Sequence, residues 1–159
     1  MFGGVPVAGV SGTIDVWAGH VRAGVACCWH RHPERDGVLT ACRELGVTLI
    51  AYMPLMMGVL TGRYTPEHRP RGLLRRFSPE VRRERRAQVQ PLIGVLREIG
   101  AAHGGRTPGQ VAINWVSRQG AVPIVGVRNA RQAHDLKGVL GWTLTDEDDR
   151  ALAAASAQL

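Results

Sequence analysis

The feature that most constrains this chain is residues 47–62, VTLIAYMPLMMGVLTG, in which a short apolar run passes directly into a loop. The run at 47–52 is rich in β-branched residues, follows a predicted helix that ends at Gly46, and is closed by Pro54. Such a run is typical of a parallel strand that is covered on both faces. Proteins built on parallel strands and helices place their ligands at the carboxyl ends of the strands.

A second strand of this kind is predicted at 122–125, where VPIV leads into Gly126 and then a helix. Each strand follows a helix, predicted at 35–46 for the first and from Thr107 for the second. Thr107 and Gln110 have the spacing of a capping box. Alternation of helix and strand predicts an α/β fold with a parallel sheet. The loops after the two strands are expected to lie side by side and to suit a phosphorylated ligand.

Further helices are predicted from their caps. Ser78 with Pro79 predicts a helix start, and Pro91 is expected to kink or restart that helix. Asn129 with Gln132 three positions later predicts a helix to about residue 138, and Thr145 with the acidic residues after it predicts the last one.

The charge of this 159-residue chain is formally +7 and comes almost wholly from arginine, because Lys137 is the only lysine. Eight arginines fall between Arg69 and Arg86. They are typical either of a phosphate-binding patch for nucleic acid or a nucleotide, or of a solvated loop and helix face. Phe77 is the only ring there that could stack on a base, so we favour the solvated face and expect no nucleic-acid partner.

The head of the chain, residues 1–28, shows no helical or alternating period. Cys27, Cys28, His30 and His32 follow closely, and on a strand the last three would share one face. A zinc site usually needs a second ligand pair, which we do not find, so no metal site is predicted. No basic segment precedes an apolar one at the N-terminus, and no run approaches ~18 apolar residues, so we expect a cytoplasmic protein with no membrane partner.

The order of the elements, together with AYMPLMMGVLTGRYTPE, GRTPGQVAINWVSRQGAVPIVGVRNARQA and GVLGWTLTDED, resembles the aldo/keto reductase family. The resemblance covers about residues 30–159. It implies a partial (β/α)₈ TIM barrel, namely the last two or three β/α units plus the closing C-terminal helix. Residues 29–159 would then be the NADP-binding half of the barrel. Residues 1–28 stay unassigned, and a shifted reading frame or wrong start is the interpretation we favour for them.

The resemblance implies NADP(H)-dependent reduction of aldehydes or ketones to alcohols, with a small carbonyl compound as substrate. It also implies cofactor contacts in two loops. The pyrophosphate loop after the first strand matches Tyr52, Met53, Pro54, Leu55 and Arg63. The loop for the 2′-phosphate and adenine matches Gly126, Arg128, Asn129, Gln132 and Asp135. Two positions depart from the family pattern, because Met53 stands where serine is usual and Leu136 where asparagine is usual.

The family's catalytic tetrad of tyrosine, aspartate, lysine and histidine has no match here, so no catalytic residue is assigned. We therefore expect a truncated, catalytically incomplete chain whose exposed strand edges favour self-association. One alternative is a non-catalytic NADP(H)-binding protein, similar to the potassium-channel β subunits that share this barrel. Another, which we favour less, is an arginine-rich nucleic-acid-binding protein.

Overall fold

The computed structural model describes residues 4–5, 14–17, 20–26, 37–69, 78 and 81–159. Five strands form one sheet in the order in which they occur along the chain. They are β1 (Gly4–Val5), β2 (Ile14–Trp17), β3 (His20–Ala26), β4 (Thr48–Tyr52) and β5 (Ala121–Ile124). β3, β4 and β5 are parallel, whereas β1 and β2 pair antiparallel with their neighbours.

Of the described helices, one lies between β3 and β4, three lie between β4 and β5, and two follow β5. They are α1 (Val38–Glu44), α2 (Arg83–Gln88), α3 (Gln90–Ala102), α4 (Pro108–Arg118), α5 (Ala130–Leu136) and α6 (Asp146–Ser156). Two 3₁₀ helices, Met56–Thr61 and Lys137–Val139, lie in the loops after β4 and after α5. This mixed α/β arrangement with a short parallel sheet confirms the prediction that the chain forms part of a (β/α)₈ barrel.

At β4 and β5, the described residues cover one face of the sheet and leave the other open. Leu49 and Ala51 of β4 are buried in the core beneath the helices, as is Ala121 of β5. On the other face, Tyr52 lies opposite Ile124 in the register, and these side chains are 45% and 56% exposed. A barrel strand faces helices on one side and the barrel interior on the other. The open side of β4 and β5 is therefore the side that would face a barrel interior.

Three of the six described helices start at the predicted caps. Thr107 and Thr145 each form a capping box, with Gln110 and Asp148 respectively. The side chain of Asn129 accepts a hydrogen bond from the amide of Gln132, and α5 starts directly after it. These three caps are local in sequence, which is why the sequence alone was sufficient to find them.

Three local predictions were wrong. The helix predicted from Pro79 begins at Arg83 instead, after the extended residue Arg82. The helix predicted at 35–46 ends at Glu44, so Leu45 lies beyond it and is 58% exposed. Arg86 was expected on a solvated face but is only 6% exposed, because its guanidinium donates to three backbone carbonyls.

The head of the chain contributes strands that the sequence did not predict. β3 lies within residues 1–28 and pairs in parallel with β4 over five residues, from Arg22 opposite Thr48 to Ala26 opposite Tyr52. Cys27, Cys28, His30 and His32, for which no metal site was predicted, lie outside the described residues. Among the helices described, none combines the length and the apolar character needed to cross a membrane.

Candidate functional site

A cavity of about 530 Å³ opens at the carboxyl ends of β4 and β5. We call it the strand-end pocket. Its walls are the loop after β4, the loop after β5 and the first turn of α4. Nine of the ten residues predicted to contact a cofactor line it: Tyr52, Met53, Pro54, Leu55, Arg63, Gly126, Arg128, Gln132 and Asp135. The two strand-end loops therefore meet, as their position on parallel strands predicts.

The loop after β4 has an unusual backbone. Met53, Met56 and Met57 have φ angles of 55°, 47° and 56°, in the left-handed region that side chains other than glycine rarely adopt. Met56 is fully buried, and so are Val59 and Leu60 of the same 3₁₀ helix. The burial of these apolar side chains offsets the backbone strain and fixes the wall of the pocket.

The loop after β5 is held by side chains of the helix that follows it. Gln132 Oε1 accepts a hydrogen bond of 2.8 Å from the backbone amide of Arg128. Asn129 Oδ1 accepts one of 2.9 Å from the amide of Gln132. Asn129 is the one predicted contact that does not line the pocket, since its side chain caps α5. The backbone of Arg128 is thereby fixed while its side chain stays exposed.

A third wall, which the sequence did not predict, comes from the start of α4. Thr107, Gly109 and Gln110 line the pocket. Gln110 Nε2 donates to the backbone carbonyl of Asp135 at 2.6 Å, so this turn is tied to the end of α5. The TPGQ sequence predicted the helix start but carried no sign that this start lies between the two strand-end loops.

The pocket combines cationic and apolar groups. The guanidinium groups of Arg63 and Arg128 make no hydrogen bond or ion pair with any residue in the described ranges. Met53, Leu55 and Ile124 supply apolar surface between them. Unpaired arginines beside an apolar wall suit an elongated ligand that carries both phosphate groups and a flat ring.

The described residues that line the pocket include no lysine and no cysteine. Lys137 is the only lysine of the sequence. Cys42 lies in the core, where burial raises the pKa of its thiol and keeps it protonated.

Comparisons with known proteins give one consistent result. The family model described as "Aldo/keto reductase family" matches residues 20–157. A chloroplastic pyridoxal reductase of Arabidopsis thaliana is 39% identical over 127 residues, which are 77% of this chain and 32% of that protein. The Schizosaccharomyces pombe aldo-keto reductase yakc [NADP(+)] is 34% identical over 113 residues, 69% of this chain and 33% of that protein. The chain thus spans about a third of the length of these relatives.

Solved structures resemble the fold over most of the chain. The glycerol dehydrogenase of Gluconobacter oxydans superposes with a TM-score of 0.72 at 24% identity, covering 86% of this chain and 42% of that one. A thermostable aldo-keto reductase superposes with a TM-score of 0.59, also at 24% identity, covering 84% of this chain and 39% of that one. The family match begins at residue 20 and so includes β3, upstream of the motifs that first indicated the resemblance.

Proposed function

The chain belongs to the aldo/keto reductase family, an oxidoreductase family that uses nicotinamide cofactors, and from that membership we propose that it binds NADP(H) in the strand-end pocket. The observation that carries the proposal is the pair of exposed guanidinium groups at the pocket, those of Arg63 and Arg128. Neither is engaged by another described residue. The phosphate groups of a dinucleotide are negatively charged, and guanidinium groups bind phosphates through strong hydrogen bonds.

Different residues of the pocket would bind different parts of the cofactor. The loop after β4, with Arg63, would hold the pyrophosphate, and Arg128 would hold the 2′-phosphate of the adenosine. Gln132 keeps the Arg128 backbone in place through its hydrogen bond of 2.8 Å. Leu55 and Ile124 would keep water away from the ring surfaces. When bound, the cofactor supplies a hydride for reduction of a carbonyl compound.

We further propose that the chain does not catalyse this reduction by itself. Proton donation to a carbonyl oxygen needs an acid whose pKa is matched to the task, and Lys137, the only lysine of the sequence, is not among the described residues that line the pocket. A non-catalytic NADP(H)-binding protein is the alternative function. The absence of Lys137 from the described lining residues favours this alternative as well, because a pocket without that lysine could bind the cofactor without turning it over.

The predicted partners and boundaries remain proposals. A small carbonyl compound is the proposed substrate class of the complete barrel, with no nucleic-acid or membrane partner and with a cytoplasmic location. Self-association through exposed strand edges remains a prediction. So does the division at residue 29, although the family match from residue 20 favours placing β3 with the barrel.

Fluorescence titration of NADPH with the whole chain tests the proposal. We expect saturable binding that Arg128→Ala weakens roughly 10- to 100-fold, as the loss of a charge-assisted hydrogen bond predicts. Arg131→Ala is the matched control, since Arg131 is exposed on α5, directly after the loop that holds Arg128, but does not line the pocket. Equal affinities of both variants, or no binding by a folded chain, would refute the proposal. Turnover of aldehydes by the chain alone would refute the claim of catalytic incompleteness.

A further inference from the structure

Arg86 is a buried cation whose hydrogen bonds all go to neutral groups. Its guanidinium donates from Nε to the carbonyl of Thr65 at 2.8 Å, from one terminal nitrogen to that of Pro66 at 3.0 Å, and from the other to that of Val81. A guanidinium carries five N–H groups, so two remain after these three bonds. Carbonyl oxygens satisfy donors but do not neutralise the charge.

No carboxylate pairs with Arg86 among the residues that the structure describes. With 6% of its surface exposed, the side chain has lost most of its contact with water. A buried charge without a counter-charge is costly, and proteins normally supply a partner of opposite sign. The position of Arg86 therefore calls for an anion that the described part of the chain does not provide.

A second cavity lies where that anion would be needed. It has a volume of about 360 Å³ and shares no lining residue with the strand-end pocket. Among the described residues, its charged lining consists of four arginines and one glutamate, namely Arg69, Arg82, Arg83, Arg86 and Glu67. Four positive groups around one negative group leave a surplus of positive charge on the wall.

Glu67 does not compensate for that surplus. The pKa of the Glu67 carboxyl is lowered, first by the hydrogen bond from the Thr65 side chain. The backbone of Glu67 and the charges of Arg83 and His68 lower it further. The group is fully exposed to solvent, where attraction to a neighbouring cation is strongly screened. The buried charge is that of Arg86, and Glu67 makes no ion pair with it.

We propose that this second cavity binds a small oxyanion of the phosphate type, with Arg86 as the buried cation and Arg82 and Arg83 at the rim. Planar guanidinium groups bind such anions through paired hydrogen bonds. Arg86 also bonds the chain just beyond Tyr64, which lines the strand-end pocket, so the anion would stabilise one wall of that pocket from behind. The proposal stands apart from the function of the strand-end pocket, because the two cavities share no residue.

Inorganic phosphate is the probe, added to the whole chain at constant ionic strength with chloride as the reference salt. We expect a higher melting temperature in phosphate than in chloride and a saturable calorimetric isotherm with a Kd of about 1 mM or tighter. In the double variant Arg82→Gln/Arg83→Gln, the affinity should fall at least tenfold. Arg150→Gln is the control, since it removes an exposed arginine from α6 and should leave binding unchanged.

Each remaining outcome decides the proposal. Equal melting temperatures in phosphate and chloride overturn it, and this comparison needs no variant to fold. An equal loss in the Arg150→Gln control also overturns it, because binding would then follow net charge alone. A short single-stranded oligonucleotide that binds with a steep salt dependence while free phosphate does not bind would overturn it in favour of a nucleic-acid surface. A parallel titration with NADPH shows whether the strand-end pocket works independently of this result.

Discussion

The side-chain amide of Gln110 donates a hydrogen bond of 2.6 Å to the backbone carbonyl of Asp135, 25 residues further along the chain. The same side chain accepts a hydrogen bond of 2.9 Å from the amide of Thr107. One residue thus caps α4 and joins it to the end of α5. Both partners line the strand-end pocket, so this contact sets the distance between two of its walls.

We predict that Gly138→Ala and Gln110→Ala are strongly coupled. A Cβ atom at Gly138 would lie 2.2 Å from Gln110 Nε2, so the alanine must displace the Gln110 side chain and break its bonds. Each single substitution should lower the unfolding free energy by about 1–2 kcal/mol. In the Gln110→Ala background, Gly138→Ala should lower the unfolding free energy much less than it does in the wild type. Urea denaturation of all four chains measures the coupling, and additive losses would contradict the prediction.

Two glycines of α3 should respond in opposite directions to alanine. A Cβ atom at Gly100 would lie 2.1 Å from the backbone oxygen of Arg106, so Gly100→Ala must separate the end of α3 from the turn before α4. We expect a loss of about 1–3 kcal/mol in unfolding free energy, as for other overpacked sites.

Gly94→Ala is the matched control for Gly100→Ala. No atom lies within 4 Å of a Cβ at Gly94, and removing a glycine from a helix should raise stability by about 0.5–1 kcal/mol. Thermal unfolding followed by circular dichroism compares the two. A neutral Gly100→Ala change would show that the two segments separate without cost.

The stability of the chain should fall in acid through Asp148. Burial alone would raise the pKa of this carboxyl, but hydrogen bonds from the Thr145 backbone, from His103 and from the Thr145 hydroxyl outweigh it and lower the pKa below the ordinary 3.8. A carboxyl whose pKa is lower in the folded state stabilises fully above its unfolded pKa and loses that contribution as the pH falls through the folded value. We therefore expect an acid-dependent loss that begins near pH 4.

Asp148→Asn should reduce this loss, because the neutral side chain does not titrate. The measurement is urea unfolding at a series of pH values from 7 to 2. Glu147→Gln, which removes an exposed carboxylate from the same turn, should retain the acid-dependent loss. If the unfolding free energy of Asp148→Asn falls with pH as steeply as that of the wild type, other titrating groups cause the acid-dependent loss.

Restoring the family's usual residue at position 53 should strengthen cofactor binding. Met53 lines the pocket in a left-handed conformation and has no hydroxyl to donate to a phosphate. Met53→Ser adds one hydrogen bond, worth about 0.5–1.5 kcal/mol, so the Kd for NADPH should fall roughly two- to tenfold. Met57→Ser serves as the control at a second half-buried methionine of the same loop. An unchanged Kd in Met53→Ser would place the phosphates elsewhere in the pocket.

The sequence predicted those parts of the structure that depend on local patterns. β4, β5 and the caps at Thr107, Asn129 and Thr145 follow from apolar runs and residue spacing, and the family resemblance selected the two strand-end loops. The buried position of Arg86 could not be predicted, because it depends on carbonyl groups of Thr65 and Pro66 some twenty residues away.

The start of α4 was not predicted as a wall of the strand-end pocket, and the reason is again a contact between residues far apart in sequence. The position of Gln110 opposite Asp135 arises from packing of α4 between the strand-end loops, and no local pattern records that packing. β3 was missed for a different reason, since His20–Ala26 lacks the alternation or the long apolar run that marks a strand.

The agreement between strand order in the sheet and strand order in the chain has a consequence for synthesis. Each described strand pairs with the one made just before it, so on the ribosome every strand emerges beside a finished neighbour. β5 is the last of them, and about 70 residues of chain separate it from β4. The sheet can therefore begin to form before β5 is made, whereas the strand-end pocket exists only after both of its loops have left the ribosome.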